Sequence, residues 1–97
     1  MQITTKTGFS CDFDVDALDD WELHDILLDA AGTVLDDSRF ARAVMQKCIS
    51  KEDAERLKDH VRKQTGGRLS AKVLVGEVMS LMEGTTKGKN SSASSAT

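Results

Sequence analysis

The spacing of apolar residues changes around Asp16–Trp21 from every second position to every third and fourth, dividing the chain into a strand region and a helical body. Upstream, Ile3, Thr5 and Thr7 alternate on one side, and Phe9, Cys11, Phe13 and Val15 continue the period of two. Lys6-Thr7-Gly8 supplies the turn, so the pattern predicts a β-hairpin within 2–16, with Asp12, Asp14 and Asp16 on its solvated face. At the junction, Leu18-Asp19-Asp20-Trp21-Glu22-Leu23 has the form of a helix start. With Asp19 as N-cap, Glu22 stands at the third helical position of a capping box, and Leu18 and Leu23 take the spacing of a hydrophobic staple. Trp21, the single tryptophan, is expected to anchor this helix in the core, with partner binding as its alternative role.

Four helices follow from the downstream pattern. Leu23, Ile26, Leu27 and Ala30 define a first helix over about 20–31, ended by Gly32. Asp36 or Asp37 caps a second over 37–49, whose apolar face is Phe40, Ala41, Val44, Met45 and Cys48. Ser50 caps a third over 51–65, where a narrow stripe of Ala54, Leu57 and Val61 among mixed charges predicts an outer helix. Gly66-Gly67 ends it, and Ser70 caps a fourth over 70–83 with Leu69 and Leu74 at staple spacing. The fourth helix carries Ala71, Leu74, Val75, Val78, Leu81 and Met82 as its stripe, and Val73 and Met79 widen it beyond what a small core uses. That surplus suits either a core or a face for self-association or a partner. Gly76 costs about 1 kcal/mol relative to alanine in a helix, and is read as permitting close backbone approach to the first helix or to another chain. Residues 85–97 contain no large apolar side chain and are read as a disordered Ser-rich tail or linker. The expected fold is mainly α (α+β): a short N-terminal β-hairpin followed by a compact bundle of about four helices, in a single domain 1–84.

Composition narrows the functional classes. A chain of 97 residues has room for one modest core. Its net charge of −3 lacks the concentrated basic surface that nucleic acid requires, so no nucleic-acid partner is expected. The absence of an apolar run long enough for a span, and of a signal-peptide pattern, leads to a cytoplasmic expectation without a membrane partner. Cys11 and Cys48 have no neighbouring ligand at metal spacing and are read as small buried hydrophobes. An EF-hand loop beginning at Asp12 would place Ala17 and Leu23 where glycine and a bidentate glutamate are needed, so no metal is assigned. His24 and His60 lie on separate helices, and no phosphate loop or nucleophile elbow appears. A non-enzymatic protein without a cofactor is expected.

Phe9-Ser10-Cys11-Asp12-Phe13-Asp14 running into Leu18-Asp19-Asp20-Trp21-Glu22-Leu23 resembles the amino-terminal signature of tail assembly chaperones from siphophages and prophages of Gram-positive bacteria. The helix around Glu55-Arg56-Leu57-Lys58-Asp59-His60-Val61-Arg62, the glycine break, the last apolar helix and the Lys89-Asn90-Ser91-Ser92 start of the tail are also similar to that family. The resemblance implies a non-enzymatic chaperone that binds the aggregation-prone tape measure protein until tail tube protein polymerises around it. It also implies a longer form made by ribosomal frameshifting, for which Gly88-Lys89-Asn90 can encode an A-rich slip site. The family assigns no motif to the binding face. Val75, Met79 and Met82 are the expected client-binding residues, with Trp21 as a further candidate. The competing expectation is a small helical regulator that dimerises through the fourth helix.

Overall fold

The computed structural model describes residues 1–29 and 34–96, with no side-chain description at 34 or over 86–96. Antiparallel strands β1 (Gln2–Thr4) and β2 (Ser10–Asp12) lead through a 3-10 turn (Val15–Leu18) to α1 (Trp21–Asp29), α2 (Val34–Cys48), α3 (Lys51–Gln64) and α4 (Ala71–Ala96). The expected architecture is therefore present among the described residues: a two-stranded hairpin followed by four helices.

The hairpin register pairs Ile3 with Cys11 and Thr4 with Ser10. Alternation then buries Ile3, Thr5, Phe9, Cys11 and Phe13 and leaves Asp12, Asp14 and Asp16 in water, as the sequence pattern requires. Gly8 closes the turn: its N–H donates to the Thr5 carbonyl at 3.0 Å, and Thr5 N–H donates to the Phe9 carbonyl at 2.7 Å. At φ 94 this position favours glycine. β2 ends at Asp12, short of the expected limit at residue 16; Phe13 N–H still donates to the Met1 carbonyl at 2.7 Å, and Asp14 then turns to other partners. Its N–H donates to the Cys48 carbonyl at 2.7 Å, and its carboxylate caps the 3-10 turn by accepting from Ala17 N–H at 3.3 Å.

That turn also corrects the predicted start of α1. Asp19 is engaged in closing the turn, donating its N–H to the Asp16 carbonyl at 3.1 Å. Asp20 becomes the cap instead, accepting from the N–H groups of Glu22 at 2.8 Å and Leu23 at 3.4 Å. Moving the cap by one residue takes Glu22 out of the third helical position, so the expected capping box and the Leu18–Leu23 staple register are both lost. The predicted Gly32 cap lies outside the described residues. α2 starts at Val34, so Asp36 and Asp37 occupy its first turn, where negative charge complements the helix dipole.

The later caps fall where the sequence places them. Ser50 Oγ accepts from Asp53 N–H at 3.1 Å, and Ser70 Oγ accepts from Val73 N–H at 3.3 Å. Gly66 and Gly67, at φ 70 and 105, end α3 with Gly67 N–H donating to the Arg62 carbonyl at 2.7 Å. α2 is the central element, in contact with α1, the 3-10 turn, α3 and α4. Phe13, Leu23, Val44, Leu57, Val78 and Leu81 fill the interior around it.

The close backbone approach expected at Gly76 occurs instead at Gly84. A Cβ at Gly76 would meet nothing within 4 Å, so no close backbone approach occurs there. At Gly84 a Cβ would stand 2.5 Å from Ile3 Cγ2, so this glycine is what lets α4 lie against β1. α4 does not stop at Gly84: Thr85 is buried and its hydroxyl donates to the Met82 carbonyl at 2.7 Å, one residue beyond the predicted domain limit. The α4 backbone runs on to Ala96.

Candidate functional site

Three features outside the apolar interior bear on function: a polar cluster under the hairpin turn, a groove among α2, α3 and α4, and the outer face of α1.

The polar cluster centres on Glu77, a residue of α4 buried to 5% exposure between Leu74 and Leu81 on the apolar stripe. Its Oε1 accepts from the Thr7 hydroxyl and from Thr5 Oγ1 at 3.3 Å, and lies 3.2 Å from His60 Nε2 and 3.5 Å from Gln64 Nε2. Thr7 Oγ1 is itself 2.8 Å from His60 Nε2. Hydroxyl and carboxylate thus converge on the same ring nitrogen, whereas a nucleophile relay needs them on opposite nitrogens. What this arrangement does is fasten the hairpin turn to α3 and α4, reinforced by Lys6 N–H donating to Ser80 Oγ at 3.2 Å. No buried side-chain oxygen or nitrogen among the described residues lacks a partner, as a carboxylate this deep requires. The sequence signal was a glutamate in register with Leu74 and Leu81, and its partners become visible only in three dimensions.

The cysteines offer no competing chemistry in this fold. Burial pushes the Cys11 and Cys48 thiols up to about 11, with nearby aspartates acting in the same direction, so both stay protonated near neutrality. Among the described residues no group of His, Cys, Asp and Glu is placed to hold a metal ion, and no helix is long and apolar enough to cross a membrane.

The groove encloses about 590 Å³ between three helices. Ala41, Met45 and Ile49 of the α2 segment form its floor, and Ala54, Leu74 and Val75 its walls. Its charged rim consists of Arg42, Lys51, Lys58 and Glu55. Lys58 Nζ lies 3.4 Å from Glu55 Oε1, whereas Arg42 and Lys51 are exposed and enter no ion pair among the described residues. Of the residues expected to contact a client, Val75 lines this groove. Met79 and Met82 do not; they are half-buried and pack against the core.

Trp21 is the fourth expected residue, and the structure corrects its placement in the core. It is 74% exposed, and so is Leu28 two turns later. At about 100° per residue these two side chains lie within about 20° of one another and opposite Leu23, the buried residue of α1. The helical period explains the outcome: Leu23 is the residue α1 buries, and Trp21, two positions earlier, is turned about 160° away from it. Leu27 and Leu35 are exposed as well, so α1 and the start of α2 carry most of the large apolar side chains left in water. Asp20 is held near the same corner by Lys47, whose Nζ is 3.4 Å from Asp20 Oδ2 and 3.7 Å from Glu22 Oε1.

Comparison with protein-family models, with curated proteins and with solved structures gives no match to this chain.

Proposed function

We propose that this protein is a phage tail assembly chaperone, which binds the tape measure protein in the bacterial cytoplasm and keeps it soluble until tail tube polymerisation. The observation that carries this reading is the groove of α2, α3 and α4, an apolar trough with charged edges on a small helical domain. A client helix that lays an apolar face into such a trough removes hydrophobic surface from water, at about 25 cal/mol per Å², while its polar face stays wet. The strand-to-Trp21 signature and the polar tail support the same reading through their family resemblance. A longer frameshifted form, which leaves this reading frame near Gly88-Lys89-Asn90 and continues into further sequence, belongs to this proposal. An A-rich heptamer over the codons of Gly88-Lys89-Asn90 is its expected trace in the gene, and codons without one remove its support.

The test is co-expression with the tape measure protein of the same phage or prophage, followed by affinity purification and size-exclusion chromatography with light scattering. The chaperone reading predicts a soluble client that co-elutes with this chain. A client that precipitates in the presence of both the short and the extended product contradicts it. The alternative of a regulator dimerising through α4 has less surface to work with, because Val78 and Leu81 are buried and Met79 and Met82 pack inward.

A further inference from the structure

The two apolar surfaces of this chain have opposite charged borders. On α1, Trp21 and Leu28 form an exposed apolar strip, and Asp25 and Asp29 lie on successive turns along one edge of it. Neither aspartate enters an ion pair among the described residues, and both are exposed. On the groove the border is basic on balance: Lys58 pairs with Glu55, and Arg42 and Lys51 enter no ion pair among the described residues. An apolar strip with an acidic edge therefore matches an apolar trough with a basic edge, in sign as well as in character.

The two cannot meet within one molecule. α1 packs on the side of α2 that presents Ala43, near Ile26, whereas the groove opens on the side that presents Ala41 and Met45, with Arg42 and Gln46 on the ridge between the two. These α2 positions are well separated around the helix, and the Trp21 strip points away from α2 altogether. Only another molecule can bring the two surfaces together.

We propose that the outer face of α1 docks into the α2–α3–α4 groove of a second copy of this chain, with Trp21 and Leu28 against Met45, Leu74 and Val75, and Asp25 and Asp29 beside Arg42 and Lys51. A tryptophan buries about 150–250 Å² on such docking, and it supplies the kind of anchor that dominates small interfaces. The contact of one nine-residue helix is smaller than the roughly 800 Å² per partner of a standard stable interface, so the association is reversible and concentration-dependent. It requires no client and stands or falls apart from the chaperone reading.

The test is sedimentation velocity over a concentration series, read together with the emission of Trp21. Wild-type protein associates as concentration rises, and its emission shifts to the blue as the indole leaves water. Asp25→Lys/Asp29→Lys and Arg42→Glu/Lys51→Glu each weaken association by about tenfold or more, since each places like charges across the contact. Mixing the two charge-reversed proteins restores association to near the wild-type level, because the reversed helix of one then faces the reversed rim of the other. All four positions are exposed, so thermal unfolding of both variants stays close to wild type and separates lost association from lost fold. A monomer at every concentration with constant Trp21 emission overturns the proposal. So does association that neither reversal weakens, or a mixture that gains nothing over its components.

Discussion

α1 and α4 are both rich in apolar residues, yet the fold uses them in opposite ways. α4 has the wider apolar face in sequence, and that face is absorbed: Val78 and Leu81 are buried, and Leu74, Val75, Met79 and Met82 pack against the core. α1 has a modest apolar stripe and buries only Leu23 fully, leaving Trp21, Leu27 and Leu28 in water. The difference lies in the neighbours. α4 is approached by the hairpin, α2 and α3 from several sides, whereas α1 is covered by α2 alone among the helices it contacts substantially. The apolar width of a helix therefore states how much surface can be covered, and the number of elements packed around it decides how much is.

The largest effect expected from this contrast is on stability. Leu81→Ala removes a side chain at 1% exposure and should cost about 2–5 kcal/mol, while Leu28→Ala on α1 should change stability by less than about 0.5 kcal/mol. Denaturant unfolding of the two variants measures the gap, and equal losses would break the comparison. The α4 glycines sharpen it further. Gly84→Ala drives a Cβ into Ile3 and should destabilise by about 1–3 kcal/mol. Gly76→Ala enters open space and should stabilise by up to about 1 kcal/mol, so the two substitutions are expected to move the unfolding midpoint in opposite directions.

Alkaline pH probes the buried side. Because burial raises Cys11 and Cys48 from 9.0 to about 11, the folded state favours the protonated thiols. Their contribution is complete below the unfolded pKa and is lost as pH rises through the folded value. Stability should therefore fall across that interval, and the fall should diminish in Cys11→Ala/Cys48→Ala when the two unfolding profiles are compared. Both thiols should also resist alkylation at neutral pH until the protein unfolds.

The smallest effect belongs to the exposed side, at the α1 cap. Desolvation by its neighbours acts to raise the Asp20 carboxyl, but the amide N–H groups of Glu22 and Leu23 and the Lys47 ammonium outweigh it and hold the group below its ordinary value. A lowered folded pKa means a contribution present above the unfolded value and lost as pH falls through the folded one. Acid titration followed by helical circular dichroism should show a slight loss in this range, reduced in Asp20→Asn, which keeps the cap without the charge.

Much of this architecture was legible because local chemistry decides it. The hairpin face from Ile3 to Phe13, the Ser50 and Ser70 caps and the Gly66-Gly67 break each depend on residues close in sequence, and each appears as expected. The hairpin's end and the start of α1 were misread because Asp14, Asp19 and Asp20 are all competent caps, and the 3-10 turn that selects among them depends on Asp14 binding the distant Cys48 carbonyl. The same limit applies to function. Val75 lines the groove, but the groove is made jointly with α2 and α3, and nothing in the spacing of α4 shows Met79 and Met82 turning inward. Glu77 went unremarked because its partners Thr5, Thr7, His60 and Gln64 come from two other parts of the chain. Gly84 carried no expected contact, since its role as a gap for Ile3 is a contact across nearly the whole domain.

The central claim is that most of the large apolar side chains this protein leaves in water lie on α1, with Trp21 at its tip. Acrylamide quenching of the single tryptophan, in protein dilute enough to be monomeric, tests it most directly. The account predicts red-shifted emission and a quenching constant close to that of free tryptophan, both unchanged by Leu28→Ala. Blue-shifted emission that acrylamide barely reaches, in a monomer, would place the indole in the core and contradict the account.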